Sequence, residues 1–94
     1  VAAVRRPVIR VHLPSQLRSY TSGASEVTAA GATVDAALRD LDARFPGIRF
    51  RVIDEQDRVR QHMRVFANGE RVHDIATAIS DGSEIQIFGA LTGG

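Results

Sequence analysis

The segment from Thr33 to Gly47 limits the possible folds more than any other part of the chain. Val34, Ala37, Leu38, Leu41 and Phe45 recur at helical spacing and form one apolar stripe, with Arg39, Asp40, Asp42 and Arg44 on the polar side. Thr33 is a good N-cap, and Asp35 in the first turn suits the positive end of the helix dipole. Pro46-Gly47 then stops the helix. A helix with a single apolar stripe has to bury it against a second layer, and the flanking sequence supplies one.

That flanking sequence alternates. Residues 8–13 put Ile9, Val11 and Leu13 on one face and Arg10 and His12 on the other, which predicts a half-buried strand ended by Pro14. The Ser/Thr/Gly-rich residues 15–25 read as a loop, with Leu17 and Tyr20 folding back on the core edge. Residues 26–30 form a second short strand with Val27 and Ala29 inward, antiparallel to the first. Residues 48–61 read as an irregular connection with a short hairpin. There Phe50, Val52 and Ile53 are apolar enough to pack, residues 54–57 make a polar turn, and Arg58, Arg60 and Arg64 interleave with Val59 and Met63.

Asn68-Gly69 lies between two short runs and is a strong hairpin signal, because both residues accept the positive φ of a type I′ turn. Ile75, Ala76 and Ile79 fall in a connection read as holding a single helical turn. Asp81-Gly82 marks a turn before the last alternating strand, residues 84–88. By this alternation Phe66 and Phe88 point away from the helix, alongside Arg10, His12, Arg64 and Gln86. The order predicts an α+β chain: a mixed sheet with one main helix across one face, the β-grasp or ubiquitin-like arrangement.

Composition narrows the function. The 94 residues make one domain, 1–94, with no cysteine, which removes disulfides, thiolate metal sites and cysteine nucleophiles. His12, His62 and His73 fall at no metal-binding spacing. Net charge is +1, with 12 basic and 11 acidic residues spread along the chain, so no nucleic-acid partner is expected. With no long apolar run and no leader, the expectation is a cytoplasmic protein without a membrane partner. Ser15, Ser22, His62 and His73 read as loop or surface residues, and no nucleophile–base–orienter set appears, so the chain is not expected to be an enzyme.

All 12 basic residues are arginine. With no lysine, the chain offers no side-chain amine for linkage to a second copy of itself. The sequence closes on Leu91-Thr92-Gly93-Gly94. Two glycines in succession make the thinnest available peptide, which a partner could draw into a channel that any side chain would block. What would reach the partner's active site is the α-carboxylate of Gly94.

Residues 30–47 (A-G-A-T-V-D-A-A-L-R-D-L-D-A-R-F-P-G), 64–72 (R-V-F-A-N-G-E-R-V) and 79–88 (I-S-D-G-S-E-I-Q-I-F), followed by Gly93-Gly94, resemble the bacterial sulfur carriers of the MoaD/ThiS family. The resemblance covers residues 8–94. The long connection 48–63 is closest in pattern to the CysO branch, which serves cysteine synthesis, although molybdopterin-type and generalist carriers have it too. One departure is Gly89, where the family often has a proline; glycine would loosen the start of the tail, residues 89–94.

The resemblance implies a carrier that binds no cofactor and is a monomer when free. An E1-like activating enzyme would use ATP to adenylate Gly94, and sulfide or a persulfide would then leave a thiocarboxylate. A sulfur-accepting synthase would pass that sulfur to cysteine, molybdopterin, thiamin or another sulfur-containing product. On this reading Leu91, Thr92 and Gly93 thread the tail, and Phe88, Phe66 and Arg64 dock the partner. Two alternatives stay open: a ubiquitin-like modifier joined through Gly94 to lysines of target proteins, and a β-grasp binding module whose terminal glycines are incidental.

Overall fold

Thr33 enters the main helix with extended backbone (φ −134°, ψ 164°), and its Oγ1 accepts a hydrogen bond from the Ala36 amide at 3.1 Å. The computed structural model describes residues 7–89. In chain order these form β1 (Val8–His12), a 3-10 helix (Ser15–Thr21), β2 (Glu26–Ala30), α1 (Val34–Arg44), α2 (Ile48–Val52), β3 (Met63–Ala67), β4 (Glu70–Arg71) and β5 (Glu84–Gly89).

The strands build one five-stranded sheet in the order β2-β1-β5-β3-β4. The central pair, β1 and β5, runs parallel and every other pair antiparallel, which is the mixed sheet that the sequence predicts. Asn68 (φ 51°) and Gly69 (φ 87°) both take positive φ in the β3–β4 turn, as a type I′ hairpin requires. One face of the sheet carries the core. Ile9, Val11, Ala29, Val65, Ile85 and Ile87 meet Val34, Ala37, Leu38 and Leu41 of α1, with Val27 and Phe45 at the margin.

Edge strand β2 would expose unpaired backbone groups, and α1 covers them. Asp40 accepts from the Ala30 amide at 3.0 Å, while Arg44 donates to the Thr28 carbonyl and pairs with Asp40. Two side chains of the helix thereby occupy positions that another strand would otherwise pair with.

Five expectations need correction. Residues 15–21 coil into a 3-10 helix rather than a loop, because Leu17 is drawn fully into the core. Residues 48–52 form α2, started by Gly47 at φ 96° and anchored by buried Ile48 and Val52. The short hairpin after it is present as a bridge between Ile53 and Val59 around the 54–57 turn. Phe50 does not pack inward: it lies on the outer side of α2 and is 54% exposed. The connection at Ile75 is a hydrogen-bonded turn, closed by the Thr77 amide on the Asp74 carbonyl, and no helix. Finally, Gly89 does not begin the tail. It ends β5 opposite Met63, because the antiparallel ladder with β3 runs that far. Residues 90–94, including Leu91, Thr92, Gly93 and Gly94, lie outside the described residues.

Arg49 ties the two helices to the 54–57 turn, contacting Asp35 at 2.7 Å and Asp57 at 3.2 Å. Burial pushes the Asp35 carboxyl up, but hydrogen bonds from Arg39 and Arg49 outweigh it and leave it below its ordinary value of 3.8. A carboxyl lowered by folding stabilises the protein fully above its unfolded value and loses that contribution as pH falls through its folded one. The urea midpoint should therefore hold down to about pH 5 and drop below about pH 4, with a shallower drop in Asp35→Asn. Equilibrium unfolding across that range measures it.

Candidate functional site

The strand that leads to the tail sits at the centre of the sheet, so everything near the exit is held by β5 and its neighbours β1 and β3. The face away from the helix divides into an ionic part and an aromatic part. Arg10 and His12 on β1 both reach Glu84 at the start of β5, at 2.9 and 2.7 Å, and the other ring nitrogen of His12 lies 3.5 Å from Glu26 on β2. The hydrogen bond with His12, and then the charge of Arg10, hold the Glu84 carboxyl below its ordinary range. This cluster clasps three strands together and lies at the end of β5 remote from Gly89.

The aromatic part lies toward Gly89. Phe66 and Phe88 meet edge to face, with centroids 5.6 Å apart and planes at 79°. Phe88 remains 49% exposed, and Phe66 is half-buried beneath it. Arg64 sits directly opposite Phe88 across the β3–β5 ladder, and its Nη1 donates to the carbonyls of Gln61 and Met63 at 2.8 and 3.0 Å. The structure thus brings Phe66, Phe88 and Arg64 together on one patch. Arg10 and His12, read as their neighbours, belong to the ionic cluster beyond Gln86.

Beside Gly89 opens a cleft of about 550 Å³. Its walls come from Gln16 and Leu17 of the 3-10 helix, Phe50 and Arg51 of α2, and Arg60, His62 and Met63 leading into β3. The Arg60 guanidinium lies 4.4 Å from the centre of the Phe50 ring, and its Nε donates to the Phe50 carbonyl at 2.6 Å. Sequence reasoning missed this cleft, and the only local signal was the interleaved run of arginines after the 54–57 turn. A methyl at Gly89 would run into the side-chain amide of Gln16, so glycine here makes room for Gln16 at the mouth of the cleft.

Among the described residues, no group of histidine, cysteine, aspartate and glutamate could hold a metal ion, and no helix is long and apolar enough to cross a membrane. No buried side-chain nitrogen or oxygen among them lacks a partner.

Known proteins place this architecture. The model of the ThiS family matches residues 11–94. The sulfur carrier protein CysO of Mycobacterium tuberculosis is 35% identical over 91 residues, covering 92% of this chain and 98% of that protein. Its crystal structure superposes with a TM-score of 0.84 at 33% identity, over 88% of this chain and 99% of that one. A crystal structure described as the Amycolatopsis orientalis BexX/CysO complex contains a chain with a TM-score of 0.85 and 31% identity, covering 92% of this chain and 99% of that chain. Small archaeal modifier protein 3 of Haloferax volcanii is 39% identical over 66 residues, covering 67% of this chain and 71% of that protein.

Proposed function

The chain belongs to the ThiS family, and from that premise we propose that it is a sulfur carrier whose reactive group is the α-carboxylate of Gly94. A carboxylate resists nucleophiles because its charge is delocalised. Adenylation by an ATP-dependent activating enzyme would release pyrophosphate and give a mixed anhydride with AMP as leaving group. Attack of hydrosulfide on that carbonyl forms the C–S bond, breaks the bond to AMP and leaves a thiocarboxylate. A sulfur-accepting synthase would then use the sulfur. Cysteine synthesis is the destination that the match to CysO favours. The observation carrying this reading is the family match running through Gly93-Gly94 on a β-grasp chain that resembles CysO along nearly its whole length.

Phe88 and Phe66 would supply the apolar contact that docks the partner, with Arg64 at its border. An exposed aromatic pair beside the tail exit is the kind of anchor that dominates interface energetics. Phe88→Ala should cost only about 1 kcal/mol of stability, since it loses little more than the edge-to-face contact. Partner affinity should fall about tenfold or more. Chemical unfolding and partner titration separate the two effects, and a large stability loss would show that the ring is part of the core.

Incubation with an activating enzyme, ATP and sulfide, followed by a thiol-alkylating reagent, tests the chemistry. With no cysteine in the chain, ATP-dependent alkylation mapped to the C-terminal peptide is the expected result. No alkylation by an enzyme competent on another carrier would reject it.

The likeness to small archaeal modifier protein 3 supports a second reading, a modifier attached through Gly94 to lysines of other proteins. Both readings share the adenylation step. Diglycine remnants on cellular lysines would mark the second, and with no lysine in the chain none of them could lie on a side chain of a second copy.

A further inference from the structure

The end of the sheet beside Gly89 carries arginines that form no ion pair among the described residues. Two hollows meet there and share Arg60 and Met63: the cleft of about 550 Å³ by Gly89, and a groove of about 330 Å³ that reaches Arg64 and Arg71. Among the described residues, no carboxylate lines either one. In the neighbouring 54–57 turn, Asp57 holds Arg49, and Asp54 caps the amides of Gln56 and Arg58 while its charge also acts on Arg58 and Arg60. A net charge of +1 therefore conceals a segregated basic band.

Arg60 is set in advance for recognition. The Phe50 ring and carbonyl fix its plane, while its two Nη groups make no hydrogen bond among the described residues. A guanidinium held flat in this way loses little further freedom on meeting a carboxylate. Arg51 and Arg71, toward the two ends of the band, form no ion pair or side-chain hydrogen bond among the described residues.

We propose that this band receives an acidic segment of the activating enzyme, with a carboxylate forked onto Arg60 and an aliphatic neighbour packed over Phe50 and Met63. The inference rests on the carrier reading, because the band borders the last residue before the tail. Positive charge alone would also suit RNA. The apolar floor of Leu17, Phe50 and Met63 and the nearly neutral chain favour a protein partner. The charges would speed and orient the encounter, while Phe66 and Phe88 provide the apolar contact.

The double variant Arg51→Glu/Arg71→Glu tests the inference, since both side chains are exposed and tie down nothing in the fold. In ATP-dependent thiocarboxylation by the activating enzyme at about 50 mM salt, its KM should rise about tenfold, and the gap should narrow at about 300 mM. An unchanged KM at low salt would overturn the proposal.

A second measurement does not depend on the carrier chemistry. Titrating the 15N-labelled chain with acetyl-Glu-Leu-Glu-amide should shift the Arg60 Nε–H and Gly89 amide signals, whereas acetyl-Gln-Leu-Gln-amide should not. Peptide shifts without thiocarboxylation would uphold the basic site for an acidic segment and reject the carrier reading. Thiocarboxylation with wild-type KM in the variant and no peptide shifts would do the reverse. Binding of a short single-stranded RNA more tightly than the activating enzyme, lost in the same variant, would overturn the proposal in favour of nucleic acid.

Discussion

A chain shortened by Gly94 should fold as the full chain does and yield no detectable thiocarboxylate. The argument is one of reach. One extended residue spans roughly 3.3–3.6 Å, so deletion withdraws the carboxylate from the adenylation site by that length. Misplacement of a reacting group by about 1 Å can already cost about 100-fold, so the expected loss exceeds that. One added glycine should be equally damaging, because the carboxylate then overshoots by the same distance. Gly93→Ala keeps the length and adds a methyl, so it should be adenylated slowly in proportion to how narrowly the partner's channel fits. Intact-mass analysis after alkylation reads all three variants, and circular dichroism confirms their folding. Wild-type rates for the Gly94 deletion would mean that the carboxylate of this residue is not the reactive group. Wild-type rates for Gly93→Ala would remove the narrow channel and leave the carboxylate chemistry standing.

What the sequence disclosed here was whatever is encoded locally. The α1 stripe, the Thr33 cap, the Asn68-Gly69 turn and the alternation of β1, β3 and β5 each depend on neighbouring residues, and all appear in the structure. Alternation also placed Phe66 and Phe88 on the outer face. Within residues 48–62 the hairpin around the 54–57 turn was legible, whereas α2 was not, for the converse reason. The five residues of α2 are too few to show a period, and burial of Ile48 and Val52 decides their conformation. In this segment Phe50 looks like a core residue by type, yet it serves as a platform for Arg60 on the surface. The cleft beside Gly89 was hidden with it, since its walls come from three segments far apart in sequence. The extent of β5 was misjudged too, because glycine signals looseness in a sequence, while pairing with Met63 keeps Gly89 in the sheet.

Gly31→Ala should destabilise the fold by about 3 kcal/mol, at the upper end of what overpacking costs. In the sequence Gly31 only interrupts the strand before the helix; the structure gives its physical reason. The chain turns from β2 into α1 so tightly that a Cβ at Gly31 would lie 2.6 Å from the Ala37 amide nitrogen and 2.8 Å from the Ala36 carbonyl carbon. These are backbone atoms of the first turns of α1, so no side-chain rotation can relieve the contact. The Gly31 amide is also held, donating to the Pro7 carbonyl at 2.9 Å, and cannot swing outward without breaking that bond. The expected response is a shift of the whole α1 N-terminus away from the sheet, carrying Val34 and the Thr33 cap with it. Equilibrium unfolding of Gly31→Ala should show a lowered midpoint with an unchanged slope. Gly69→Ala has open space around its Cβ and pays only for positive φ, so it should cost about 1 kcal/mol. If the two variants lose equal stability, the close approach of backbone to backbone is not what requires glycine at position 31.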